Sequence, residues 1–150
     1  MKRFFITAAA AAFSVGVMLA QEHPEHPKAK EQPKQSHAYT MDELEKAITA
    51  EIQNAQKVDG FFHIKDGDKT WNLTLDHVHK DKLARIDPKT YFACTDFKSD
   101  DNHTVDVDFV MKDDGEKLVL SDATLHKVDG NARYNWKEKD GYWVRVPVGP

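Results

Sequence analysis

Residues 40–56 read TMDELEKAITAEIQNAQ, and this stretch decides the fold class because its apolar residues repeat with the period of a helix. Thr40 and Glu43 form a capping box, in which the hydroxyl and the carboxylate bond to free backbone donors of the first turn. The apolar residues at helical spacing are Leu44, Ala47, Ile48, Ile52 and Ala55. We therefore predict an amphipathic helix from about Met41 to Gln56, which stops before Gly60 and needs a surface to cover.

The chain beyond this helix has the pattern of short strands. Asp-Gly turn signals fall at residues 66–67, 113–115, 129–130 and 140–141. Between them, apolar and polar residues alternate, as in residues 104–111, TVDVDFVM. Such alternation predicts antiparallel strands with one buried face and one face in solvent. The acidic side chains expected on the solvated face are Asp96, Asp106 and Asp108.

These elements predict an α+β fold, with one N-terminal helix packed on a curled antiparallel sheet of about six strands, in a single domain of residues 38–150.

The pattern of the last hairpin allows two registers. A three-residue loop at residues 139–141 puts Trp136 on the face of Tyr142, and we favour it because it keeps the apolar side chains together. A two-residue loop would pair Trp136 with Arg145 instead.

Two further segments carry a resemblance to a known group. Residues 91–97, YFACTDF, and residues 124–130, TLHKVDG, are similar to segments of a family of small, uncharacterised exported bacterial proteins. The order of one helix followed by a strand meander also resembles the cystatin-like group of folds. The resemblance covers about residues 41–146 and implies an exported bacterial protein with a cystatin-like fold. It brings no established activity and no site residues with it.

The first 20 residues have the layout of a secretory signal peptide. Lys2 and Arg3 precede an uncharged run of 17 residues that ends at Ala20. We predict cleavage after Ala20 or Gly16 and a periplasmic or secreted mature protein that does not associate with the membrane. An uncleaved anchor is the alternative, since a spanning helix needs about 20 apolar residues. The proline-containing residues 21–37 are predicted to be a disordered polar linker.

Composition excludes some classes of partner. The chain has 21 basic and 25 acidic residues and a net charge of −4, and it becomes more negative when Lys2 and Arg3 leave with the signal. Such a chain has no net electrostatic attraction for nucleic acid or for an anionic membrane. Cys94 is the only cysteine, so no internal disulfide forms and the core alone must hold the domain. We expect a buried Cys94 and a monomeric protein.

His77 and His79 form a His-x-His pair in a predicted strand, where alternate side chains point to the same face. The apolar residues predicted on that face are Trp71, Leu73 and Leu75. Two such imidazoles bind zinc or copper if a neighbouring strand supplies a third ligand. The candidates for that ligand are His63, Cys94, Asp96 and His126. His23 and His26 in the linker form a second, weaker candidate metal site. The alternative is that His77 and His79 lie at a solvated rim and bind nothing.

The candidates for a ligand site on the concave face of the curled sheet are four aromatic residues, Trp71, Tyr91, Trp136 and Tyr142. The alternative is that they are ordinary core residues. The leading hypothesis is therefore an exported, non-catalytic binding module for a small molecule or a protein partner. A periplasmic metal-handling protein that binds Zn or Cu is the alternative, and a hydrolase with an unrecognised site is a third. An enzyme is the less expected class, because the sequence has no Gly-x-Ser-x-Gly elbow, His-Glu-x-x-His helix, phosphate loop or Cys-x-x-Cys pair.

Overall fold

Helix α1 (Met41–Gln56) begins and ends where the sequence predicts. In the computed structural model, which describes residues 38–81 and 84–149, the capping box is closed. The Glu43 amide donates to the Thr40 hydroxyl over 3.2 Å, and the Thr40 amide donates to the Glu43 carboxylate over 2.8 Å. Beyond the helix, Gly60 donates its amide to the Gln56 carbonyl and has a φ of +91°, a conformation that favours glycine.

Nine strands follow the helix in the part of the chain that the structure describes. They are β1 (Phe62–Asp66), β2 (Lys69–Val78), β3 (Ala84–Asp87), β4 (Thr90–Ser99), β5 (Thr104–Asp113), β6 (Leu118–Val128), β7 (Asn131–Ala132), β8 (Tyr134–Lys139) and β9 (Tyr142–Pro147). The antiparallel sheet runs β1-β2-β4-β5-β6-β7, with β3 paired to the first half of β4. Strands β8 and β9 form a separate hairpin. The predicted signal peptide (1–20) and linker (21–37), with His23 and His26, lie outside the described residues.

The sheet curls around the helix, and β1 comes into contact with β6. We call the face toward the helix the inner face. The helix buries Leu44, Ile48 and Ile52 completely against it. Their main partners on the sheet are Phe62, Leu73, Phe97, Val105, Val107, Phe109 and Met111. Each such side chain stabilises the fold by about 1.5–3 kcal/mol when fully buried. The prediction of an α+β fold, with one helix on a curled antiparallel sheet of about six strands, is confirmed.

The outer face of the sheet carries Phe92, Cys94 and Asp96 on β4, and Asp106 and Asp108 on β5. The β8–β9 hairpin covers part of it. A second apolar cluster of Ala84, Phe92 and Val110 packs there against Trp136 and Trp143 of the hairpin. The prediction of a solvated face is therefore wrong for the covered part, where Asp108 is 0% exposed.

The predicted three-residue loop of the last hairpin is also wrong. Trp136 pairs with Arg145, so the loop has two residues, Asp140 and Gly141. Their φ angles are +55° and +83°, as in a type I′ turn, whose twist matches that of the flanking strands. This register places Arg145, rather than Tyr142, on the face of Trp136. The Arg145 guanidinium lies 5.2 Å from the centroid of the Trp136 ring, a cation–π contact that favours this register.

Candidate functional site

A β-bulge in β2 decides where the His-x-His pair points. The register of β2 against β4 shifts between Leu75 and His77, and His77 then lies opposite Asp96. The extra residue, Asp76, re-aims the strand so that His77 and His79 point to the outer face. The prediction that the pair shares the face of the apolar residues before it is therefore wrong.

The bulge brings His77, His79 and Asp96 together. The two imidazole rings lie 4.8 Å apart between centroids. Nε2 of His79 is 2.8 Å from Oδ1 of Asp96, and Nε2 of His77 is 3.5 Å from Oδ2 of the same carboxylate. One ligand atom from each residue lies within 4.8 Å of the ligand atoms of the other two. Around tetrahedral zinc, two donor atoms are about 3.3 Å apart. Small side-chain rotations therefore suffice to bring these three ligands around an ion. We call the three residues the His77–His79–Asp96 group.

A neighbouring carboxylate orients the His77 imidazole. Its Nδ1 lies 3.1 Å from Oδ2 of Asp76, which favours a proton on Nδ1 and leaves the Nε2 lone pair for a metal. His79 instead bonds to Asp96 through Nε2, at 2.8 Å, whereas Oδ1 of Asp81 lies 3.9 Å from its Nδ1, too far for a hydrogen bond. Both Nε2 atoms face Asp96. Of the two imidazoles, His77 therefore has the carboxylate contact at its second nitrogen that is typical of a metal-binding histidine.

A cleft of about 360 Å³ opens next to this group, under the hairpin. Phe92, Trp136 and Trp143 supply its large apolar side chains, and its ligand-type side chains include Cys94, Asp106 and His126. His126 reaches the cleft because the register of β6 against β5 also shifts, between Asp106 and Val107. The Nε2–H of His126 donates to the Tyr134 carbonyl over 3.1 Å, and its Nδ1 lies 3.9 Å from the Cys94 sulfur.

Asp108 anchors the hairpin to the sheet. Its Oδ2 accepts hydrogen bonds of 2.6 Å from both the Tyr134 hydroxyl and the Trp136 indole, whereas its buried Oδ1 has no partner among the described residues. Burial acts to raise the pKa of Asp108, but hydrogen bonds from His126, Tyr134 and Trp136 outweigh it and hold the pKa below its ordinary value. Burial and the Asp108 carboxylate raise the pKa of Tyr134, so the pair stays a phenol donating to a carboxylate.

The cleft does not have the geometry of a nucleophilic enzyme. Cys94 is half-buried; burial raises the pKa of its thiol, and the charges of Asp108 and Asp106 raise it further. In a nucleophile–base–acid arrangement the two imidazole nitrogens face different partners. Here Nδ1 of His126 faces both Cys94 and Asp108, at 3.9 and 3.5 Å. This cluster therefore gives the hydrolase hypothesis no support.

The four aromatic residues predicted to line a ligand site do not come together. Trp71 and Tyr91 are buried on the inner face, in the cluster that contains the helix. Trp136 lines the cleft, and Tyr142 lies on the opposite face of the hairpin. Trp143, which sequence reasoning missed, takes the place beside Trp136. The two-residue loop would have identified it, because that register puts it on the face of Trp136.

Comparison of the chain with protein-family models, with curated proteins and with solved structures finds no match. The likeness to a cystatin-like exported family stays a prediction, and function must be argued from the site itself. Among the described residues, no helix is long and apolar enough to cross a membrane.

Proposed function

We propose that this chain is an exported, non-catalytic binding module whose ligand is a transition metal ion, Zn²⁺ or Cu²⁺, held by His77, His79 and Asp96. The observation that carries the proposal is the β2 bulge, which directs two imidazoles and a carboxylate to one point on the outer face. Imidazole and carboxylate are ligands that both ions accept. The export part of the proposal rests on the pattern of residues 1–20.

The position of the group favours reversible binding. The side chains of His77 and His79 are 55% and 41% exposed, so solvent or a partner has access to the remaining coordination positions. Structural zinc sites instead have four protein ligands and no open position. The acidic chain adds a general attraction for cations. We therefore infer capture and release of the ion, and His23 and His26 in the linker would add a second, weaker point of capture.

Isothermal titration calorimetry, with Zn²⁺ and then separately with Cu²⁺ added to the mature protein, tests this proposal. We expect one ion per chain at the His77–His79–Asp96 group with micromolar or tighter affinity. The double variant His77→Ala/His79→Ala should lose that affinity by at least tenfold. His63→Ala is the matched control, because His63 is also 41% exposed and also lies 2.8 Å from a carboxylate, Asp59. Among the described residues, His63 belongs to no group of metal-ligand side chains.

Three outcomes would remove the proposal. Millimolar affinity in the wild-type protein would leave no metal function, and equal losses in the control and in the double variant would show that the group has no special role. Deletion of residues 21–37 separates the linker from the domain. If that deletion abolishes all binding, the metal belongs to the linker histidines alone.

A small organic ligand in the cleft is a second candidate, favoured by the volume of the cleft and its indole side chains. A volume of about 360 Å³ falls within the range of small-molecule sites. A ligand there would contact Trp136 and Trp143, and its binding should change their fluorescence. A thermal-shift screen would test this candidate, and Trp143→Ala should abolish any shift that arises in the cleft. Trp71→Phe, on the inner face, is the control for fluorescence.

A further inference from the structure

We propose that Cys94, Asp106 and His126 form a second metal site, which takes a zinc ion through one sulfur, one oxygen and one imidazole nitrogen. One ligand atom from each residue already lies within 4.8 Å of the others. None of these atoms belongs to the His77–His79–Asp96 group, so either site can exist without the other. The two sites are neighbours, because Asp96 and Asp106 lie directly opposite each other on β4 and β5.

The orientation of His126 is the first argument. Its Nε2–H donates to the carbonyl of Tyr134 over 3.1 Å, and its ring stacks on the Tyr134 ring at 4.7 Å between centroids. In a metal-bound state the proton stays on Nε2 and the lone pair lies on Nδ1. That nitrogen lies 3.9 Å from the Cys94 sulfur and 3.5 Å from Oδ2 of Asp108, to which it donates a hydrogen bond when it carries a proton. A backbone carbonyl that holds one nitrogen while the other faces the ligand position is the usual support of a metal-binding histidine.

Negative charge in the cleft is the second argument. Asp81, Asp106 and Asp108 all line it, whereas Lys127 is the only lysine or arginine among its described lining residues. The Lys127 ammonium lies 3.0 Å from Oδ2 of Asp106. Asp108 is 0% exposed, and its Oδ1 has no hydrogen-bond partner among the described residues. Because Asp108 lines the same cleft, its buried negative charge favours a divalent cation there.

The chemistry of Cys94 fits zinc. Without a metal the thiol keeps its proton, since burial and two nearby carboxylates disfavour the thiolate. When Zn²⁺ binds, the S–H bond breaks, a Zn–S bond forms and one proton leaves to solvent. Zinc accepts thiolate sulfur, imidazole nitrogen and carboxylate oxygen as ligands, and with three protein ligands one coordination position remains for water. The half-buried position implies slower exchange than at the His77–His79–Asp96 group.

Cobalt(II) is the first probe, because a cobalt–thiolate bond gives a charge-transfer band in the near ultraviolet. We expect Co²⁺ added to the full mature chain to produce this band, and Cys94→Ser to remove it. His77→Ala/His79→Ala should leave it unchanged, even if the function proposed above fails. A wild-type protein without the band, or a band that survives in Cys94→Ser, would overturn the second site.

Alkylation of Cys94 by iodoacetamide is the second probe and needs no variant. Saturating Zn²⁺ should slow the reaction at least tenfold in the wild-type protein and in His77→Ala/His79→Ala. In His126→Gln the protection should largely disappear, provided that circular dichroism shows the variant folded. If that variant does not fold, the wild-type comparison still decides. An alkylation rate that zinc does not change would contradict the proposal.

Discussion

The inner and outer faces of one sheet differ in what their side chains do. The inner face is apolar, lies against helix α1 and contains the large, fully buried side chains Phe97, Phe109 and Met111. The outer face carries carboxylates, imidazoles and a thiol, and a two-stranded hairpin covers part of it. This difference indicates that hydrophobic burial on the inner face stabilises the fold. The outer face can therefore carry ligand-type side chains.

The largest expected effect compares two phenylalanines, one on each face. Phe109→Ala should lower the free energy of unfolding by about 4 kcal/mol, because it leaves a cavity under the helix. Phe92→Ala should cost about 2 kcal/mol, since Phe92 belongs to a small cluster beside the cleft. Urea denaturation measures both. Equal losses would show that the hairpin side stabilises the fold as much as the helix side does.

The next effect concerns the contact between the outer face and its hairpin. Asp108→Ala should cost about 3 kcal/mol, because the half-buried Tyr134 hydroxyl and Trp136 indole lose their shared acceptor. Asp108→Asn, which keeps one acceptor oxygen, should cost less. Urea denaturation with near-ultraviolet circular dichroism measures stability and hairpin packing together. The control is Asp106→Ala, which removes a half-buried carboxylate whose partner is Lys127; a loss as large as that of Asp108→Ala would argue against a special anchor.

Asp108 also predicts a pH dependence. Its pKa in the folded protein lies below the ordinary value, so the fold favours the ionised carboxylate. The stability that it contributes is therefore fully present above about pH 5 and falls as the pH drops through 4 toward the folded pKa. Urea midpoints between pH 3 and 7 should decline at the acid end, and less steeply in Asp108→Asn. Identical slopes for the two proteins would contradict the anchor role of this carboxylate.

The smallest effect is on the helix that covers the inner face. Thr40→Ala should lower stability by about 1 kcal/mol, because it removes the hydroxyl that accepts from the Glu43 amide. Thr49→Ala, inside the same helix, should be neutral or slightly stabilising, since alanine has the higher helix propensity. Thermal melts of both variants check this, and a similar cost for both would mean that the cap contributes little. Neither change should alter metal affinity, because both lie away from the outer face.

The sequence was sufficient where local rules decide the structure. The capping box, the period of α1 and the Asp-Gly turns depend on residues close together in the chain, and the structure has each of them in place. The alternation of residues 104–111 likewise predicts which side of β5 faces the helix. These elements determine the fold class.

The candidate site was less predictable because it depends on backbone irregularities and long-range contacts. One extra residue at Asp76 reverses the face of His77 and His79. The pattern of residues 69–78 does not indicate this bulge. The register of the last hairpin was missed because both of its faces contain aromatic or apolar residues. The contacts that favour the two-residue loop, from Arg145 to Trp136 and to Asp122, span nine and 23 residues.

A heteronuclear NMR titration of the mature protein with Zn²⁺ tests the division between the two faces most directly. We predict that Zn²⁺ added to saturation shifts the imidazole signals of His77 and His79 to metal-bound positions and moves the amides around Asp96. The methyl signals of Leu44, Ile48 and Val105 on the inner face should stay in place. Shifts confined to His23 and His26, or spread equally over both faces, would contradict the assignment of metal binding to the outer face.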